Sequence, residues 1–299
     1  MRHLIGVMTY KMTSSLEVLV NSMSDNMDIV LHVDAKSDLQ QYDIIKDKVS
    51  FIDQRVPVFW GDVSQIKAML AIFSYAKKFD YDYVSLVSES DLPLKKSADI
   101  NHFLEKNLGT EYIGYSLTGF EEADERLKYR YFNFYKERGN LLRYLFKKFK
   151  LYKLFKNKYY CILPKLYKGS QWMTLSRNSI KYIFDFLEQN PSFIKAFESS
   201  YCPDEVFFQT ILFNSPLKEN IFMIENPPLD DNAMSLRYID WETGPTFPTV
   251  LKAENLRTYQ QAQPKSLFFR KVDEKSDFDR YLYLLENEDG MRTEWNDNV

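Results

Sequence analysis

The stretch CPDEVFFQT, residues 202–210, sets two carboxylates, Asp204 and Glu205, between a proline and a run of large apolar side chains. Pro203 fixes φ ahead of Asp204, and the run that follows has helical spacing. Both acids are therefore expected in the first turn of a helix, where the helix dipole favours anions. Held there, a carboxylate can act as a general base worth roughly 10²–10⁴-fold in rate, or the pair can simply cap the helix. A second pair, Glu89 and Asp91 in VSESDLPL, has carboxylate-x-carboxylate spacing. On one face of an extended segment it could hold a divalent metal; the alternative is an acidic turn in which Asp91 orders the loop or contacts a ligand. Arg270 and Lys271, after an aromatic pair in SLFFRKVD, are cations suited to neutralising a departing anion, although such a pair is commonly solvated surface. His3, His32 and His102 lack metal-ligand spacing and read as structural.

Composition narrows the field of functions. The 299 residues are 45% hydrophobic and 27% charged, enough for a core of ordinary size, with no linker, low-complexity stretch or repeat to divide the chain. A net charge of -3 argues against a protein that grips nucleic acid through its phosphates. Aromatic residues make up 16%, which suits stacking on flat rings or sugar faces as well as core filling. With only Cys161 and Cys202 there is no disulfide framework. The apolar start is too short for a signal peptide, and no segment approaches ~18 uninterrupted apolar residues. A cytoplasmic chain, at most peripheral at the inner face of the plasma membrane, is the expectation.

The elements that must position these residues alternate. HLIGVMTY and DIVLHVDAK read as strands around a helix in SSLEVLVNSM, with Leu16, Leu19, Val20 and Met23 on one face. VPVFWGD is a third strand candidate, QIKAMLAIFSYAKKF an amphipathic helix, and YDYVSLVSESDLPL a fourth strand. Such alternation predicts a mainly parallel α/β sheet with ligands beyond the carboxyl ends of its strands, where Asp34, Trp60 and the SESD cluster fall. Neither a G-x-G-x-x-G nor a P-loop follows a strand, so any phosphate must be held otherwise. From Arg138 to Phe184 there is no acidic residue, and RGNLLRYLFKKFKLYKLFKNKYY interleaves basic with apolar side chains. Residues 138–160 could lie on an anionic membrane surface or hold an anionic acceptor; equally, they could form a helix with a solvated basic face. GSQWMTLSRNSIKYIFDFLEQN reads as strand then helix, with Ser176 as its N-cap.

Seven blocks in register resemble the core-2/I-branching β-1,6-N-acetylglucosaminyltransferase family, which includes peptide O-xylosyltransferases. They are LHVDAK, VSQIKAML, ESDLPLK, DERLKYRY, KGSQWMTLSR, YCPDEVFFQTIL and LFFRKVD, and they span roughly residues 3 to 273. The resemblance implies a nucleotide-sugar transferase fold of the GT-A kind, a Rossmann-like mixed sheet flanked by helices. Residues 1–273 would form one such domain with a basic aromatic insertion at about 138–168, and 274–299 a C-terminal helix and polar tail. It further implies an inverting transfer from a UDP-sugar that needs no metal cofactor, onto a glycan or glycolipid acceptor. UDP-GlcNAc is the first-choice donor and UDP-xylose an alternative. A non-catalytic glycan or nucleotide-sugar binding module is the rival class.

Carried over position by position, the resemblance makes Glu205 the general base and Asp204 its cap or orienting partner. Asp34 becomes the uracil contact, Trp60 its stacking neighbour, and Lys271 the diphosphate cation assisted by Arg270. Val7 and Asp91 join the donor side. Arg126 and Arg130 lie on the acceptor side, with Asp240 and Trp241 shaping the acceptor pocket. Two departures stand out. Glu89-Ser90-Asp91 replaces the family's G-Q-D, leaving Glu89 and Asp91 as metal-ligand candidates. Thr246 stands where the family has a phosphate-facing arginine, with Arg237, Lys252 or Arg270 as substitutes. The compartment suggests a bacterial enzyme of surface-polysaccharide assembly.

Overall fold

A computed structural model describes residues 1–132 and 141–287. Residues 138–140 of the basic insertion and the polar tail from 288 onward lie outside these described residues. The chain builds strands β1 (His3–Thr9), β2 (Asp28–Val33), β3 (Ser50–Phe51), β4 (Tyr83–Ser88), β5 (Asp91–Pro93), β6 (Thr174–Ser176), β7 (Arg237–Ile239) and β8 (Phe268–Arg270). Its helices are α1 (Ser14–Met23), α2 (Val63–Lys78), α3 (Ser97–Lys106), α4 (Phe120–Lys128), α5 (Leu141–Lys148), α6 (Arg177–Gln189), α7 (Phe207–Phe213), α8 (Asp231–Met234), α9 (Leu256–Ala262) and α10 (Phe278–Glu286).

The main sheet runs β3-β2-β1-β4-β6, parallel except for β6 against β4, and a small sheet runs β5-β8-β7. This is the expected mixed α/β architecture with helices on both faces. Period-two alternation assigns the faces: Leu4 of β1 packs with Ile66, Met69, Ile72 and Phe73 of α2, whereas Ile5 and Val7 pack with Leu16, Leu19 and Val20 of α1. Val7, expected on the donor side, has its side chain wholly buried in that second cluster. The helix starts follow their caps: Thr13, Asp62 and Ser176 each accept a backbone N–H of the helix they precede. His3 is held between Asn101 and Ser85, and burial pushes it down to about 3, so it stays neutral inside the fold.

The third strand is not where VPVFWGD placed it. Only Ser50 and Phe51 pair with β2, and residues 55–59 are irregular. Side chains have taken over the ladder's role there. His32 Nε2 accepts from Val56 N (3.0 Å), Asp34 from Val58 N (3.4 Å), Ser64 from Phe59 N (2.9 Å) and Gln65 from Gly61 N (2.7 Å). With their backbone donors satisfied this way, and with Pro57 in their midst, these residues need no sheet partner.

Candidate functional site

Glu205 closes a short 3₁₀ turn, Pro203–Glu205, that precedes α7 instead of forming its first turn. Neither acid caps the helix, which corrects the capping expectation for Asp204. Asp204 is buried, and its Oδ1 has no hydrogen-bond partner among the described residues. Burial, reinforced by the charge of Glu205, pushes its carboxyl up from the ordinary range. The turn is pinned from two sides. Cys202 ahead of it is left-handed (φ 47°) and donates its N–H to Gly61 O at 3.1 Å. Gly169 N donates to Glu205 O at 2.8 Å. At Gly169 a Cβ would stand 2.1 Å from the carbonyl oxygen of Gly114, so no side chain fits where these segments cross.

The Glu205 carboxylate is one-third exposed and held by one oxygen. Oε2 accepts from Arg126 at 2.6 Å and lies 3.7 Å from Lys168 Nζ. Among the described residues Oε1 accepts no hydrogen bond. Glu122, one turn before Arg126 on α4, bonds the same guanidinium and lies 3.5 Å from Lys168, making a four-membered charge network. Burial opposes the charge on Arg126, but the carboxylates of Glu205 and Glu122 outweigh it and hold the guanidinium ionised. Arg126, expected on the acceptor side, is thus first of all the partner of the base candidate. Arg130, at the end of the same segment, is exposed.

Tyr201 roofs this network. Its ring meets Trp60 edge to face at 5.6 Å, and the guanidinia of Arg126 and Arg143 lie 5.8 and 5.7 Å from its centre. Trp60, at the end of the irregular stretch that follows β3, is therefore joined to the Glu205 side of the site through Tyr201. Asp34 itself is buried at the carboxyl end of β2, with Oδ1 accepting from Lys36 N and Val58 N and Oδ2 3.0 Å from Lys36 Nζ. It orders the loop, and carboxylate lone pairs remain for a further donor.

A second group centres on Asp91. Glu89 and Ser90 form a turn between β4 and β5, not the extended segment expected, and Asp91 folds back. Its Oδ2 accepts from Ser88 N at 2.7 Å, and its Oδ1 from Ser88 Oγ at 3.1 Å and Arg270 Nε at 3.0 Å. Arg270 also stacks 4.1 Å over Trp172. With Asp91 committed in this way, the two carboxylates of the pair are not presented alike. Among the described residues no cluster of three metal-ligating side chains forms. Glu89 is buried and pushed up to about 7 by burial and by Asp91, against the pull of Arg270 and Lys271. Lys271 is exposed and makes no ion pair among the described residues; the peptide joining it to Arg270 is cis.

The substitutes for the missing arginine now separate. Arg237 is buried, donating to Ser235 O, Met173 O and Thr174 Oγ1, and burial pulls it down to about 9. Lys252 pairs with Asp273 at 2.9 Å, whereas Arg270 stands beside Lys271. Asp240 receives the N–H groups of Glu242 and Thr243 and so orders its own turn, leaving Trp241 exposed beside it.

The sequence reading missed Lys168, Glu122 and Tyr201 on the Glu205 side and Trp172 on the other. Glu122 and Arg126 had the i, i+4 spacing of a helical ion pair, and Tyr201, Lys168 and Trp172 sat inside quoted blocks. Two cavities, of about 690 and 400 Å³, form among the described residues. The larger is lined by the outer face of α4, including Glu121, Asp124 and Lys128, with residues 160–166. Glu205 lines neither of them, and its carboxylate is one-third exposed.

Comparison with known proteins agrees with the seven blocks. The profile of the family described as Core-2/I-Branching enzyme matches residues 6–266. A curated relative, xylosyltransferase sqv-6 of Caenorhabditis elegans, is 26% identical over 269 residues, covering 83% of this chain and 32% of that protein. The chain thus spans about a third of the length of that relative. Among solved structures, S. aureus TarS is matched at a TM-score of 0.28 and 15% identity, over 96% of this chain and 55% of that one. Mouse xyloside xylosyltransferase 1 is matched at 0.29 and 8%, over 71% and 81%.

Proposed function

The chain belongs to the Core-2/I-Branching enzyme family of glycosyltransferases, and from that premise we propose an inverting transfer of a sugar from its UDP form to a glycan hydroxyl, with Glu205 as the base. The observation that carries this reading is the asymmetry of the Glu205 carboxylate. One oxygen is anchored by Arg126 and Lys168, and the other is open on a partly exposed side chain. Anchoring fixes the direction of the open oxygen, and a positioned carboxylate can take the proton of an attacking hydroxyl as the carbon–oxygen bond to the sugar forms. Leaving-group charge then falls to Lys271 and Arg270, fixed cations in a rigid strand end.

GlcNAc is the proposed sugar, with xylose the alternative favoured by the xylosyltransferase relative. The acceptor is a glycan or glycolipid, reached from the Arg126 and Trp241 sides. A bacterial cytoplasmic setting follows from the cysteine usage and remains part of this proposal.

The test is a panel of UDP-GlcNAc, UDP-GalNAc, UDP-glucose, UDP-xylose and UDP-glucuronate. The donor should raise Tm, because a ligand that binds only the folded state stabilises it. UDP release should then appear when a hydroxyl acceptor is added, and should survive EDTA. A Tm rise with no release by any acceptor would favour the binding-module reading, and release abolished by EDTA would favour a metal-dependent one.

A further inference from the structure

We infer that α5 and the turn after it form a docking surface for an anionic lipid bilayer, set directly beside the Glu205 site. The helix is inside out by the ordinary rule for a helix on a protein surface, which buries its apolar stripe and shows its charges. The two half-buried positions are Arg143 and Phe146, three residues apart on the inward face. Phe146 packs on the Tyr131–Tyr152 cluster, and Arg143 donates to Tyr201 Oη at 3.1 Å. Leu141, Tyr144 and Leu145 point outward on the opposite face, Leu141 at 70% exposure. Phe149 and Leu154 continue the same surface at 63% and 75%, while Tyr152 between them is buried.

Charge identifies the occupant. Lys147, Lys148 and Lys150 interleave with these apolar groups and are exposed. The sequence from Arg138 to Phe184 contains no carboxylate, and among the described residues these three lysines form no ion pair, whereas Lys153 in the turn after the helix lies 3.6 Å from Glu125. Apolar side chains projecting among unbalanced lysines match an interface whose outer layer is anionic and whose inner layer is hydrocarbon. A protein groove would need a complementary acidic partner around an apolar trough, and a second copy of this surface would set lysine against lysine. No helix among the described residues is long and apolar enough to cross a membrane, so the contact is one of lying on the surface. Because Arg143 also lies 5.9 Å from the Trp60 ring, the docked helix would hold the loop that carries Trp60 and the turn that carries Glu205 close to the lipid plane.

The inference stands apart from the catalytic reading, since its readout is binding and needs no turnover. The full chain is mixed with vesicles rich in phosphatidylglycerol or made of phosphatidylcholine alone, and sedimented. The expected result is sedimentation with the anionic vesicles only, reversed by raising salt. Lys147→Glu with Lys148→Glu should cut partitioning by at least about tenfold, at about 1 kcal/mol per charge near the surface. Leu141→Glu with Leu145→Glu should abolish it with Tm unchanged. Equal binding to neutral vesicles, salt-insensitive binding, or wild-type binding by the lysine variant would overturn the inference. A dimer in light scattering that Leu141→Glu dissociates would also overturn it, in favour of a copy-to-copy contact. Should the leucine variant fail to fold, the lysine variant and the salt titration of the native chain decide alone.

Discussion

Glu205 and Asp91 are both carboxylates bonded to an arginine, and they do opposite work. Asp91 is almost fully buried, and both its oxygens are taken, by Ser88 and Arg270. Glu205 is one-third exposed, with Oε2 anchored and Oε1 open. Burial with both oxygens bonded makes Asp91 a brace, because each oxygen already serves the fold. Under the proposed function Glu205 is by contrast a tool, its anchored Oε2 supplying direction and its open Oε1 the basicity toward an acceptor hydroxyl.

The largest effect expected from breaking this contrast is at Glu205. Glu205→Gln keeps the shape and removes the proton acceptor, so transfer should fall roughly 10²–10⁴-fold while UDP affinity measured by calorimetry stays as in the wild type. Wild-type turnover in that variant would mean that the base lies elsewhere. Asp91→Ala should act on stability first, by about 3 kcal/mol in urea unfolding, since it leaves Arg270 and the Ser88 N–H without their acceptor. Full stability with lost transfer would show that Asp91 is a tool as well.

Lys271→Ala sharpens the comparison from the cation side. Being exposed and unpaired among the described residues, Lys271 contributes little to the fold, so its loss should leave Tm unchanged. UDP binding should weaken about tenfold, or about 1.4 kcal/mol, with kcat/KM falling in parallel. Unchanged UDP affinity would move the diphosphate contact to Arg270 alone.

The smallest effect concerns Glu89, raised by burial from 4.5 to about 7. The folded state binds this proton more tightly than the unfolded one. Its contribution therefore favours folding fully below about pH 4.5 and is lost as pH rises through about 7. The Tm of Glu89→Gln should consequently gain on that of the wild type between those limits, by at least a few degrees. A gap that does not change with pH would mean that Glu89 is ionised throughout.

The contrast between Glu205 and Asp91 was invisible in the sequence, where both appear as acids near a proline. Spacing rules located α1, α2, β1, β2 and β4, because a buried face must repeat with the period of its element. They failed at VPVFWGD, where apolar and aromatic residues read as a strand but the backbone donors go to His32, Asp34, Ser64 and Gln65. No local pattern announces an acceptor that arrives from another segment.

What the sequence determined by itself is the order of elements, the family, and the identity of the groups able to do chemistry, because periodicity and residue type are local properties. Tertiary structure alone decided which carboxylate is free and which is spent. That choice depends on whether Arg126 and Lys168, 79 and 37 positions away from Glu205, take up one of its oxygens or both, as Ser88 and Arg270 do for Asp91. Chain folding sets those approaches, and lone pairs are counted only after it has.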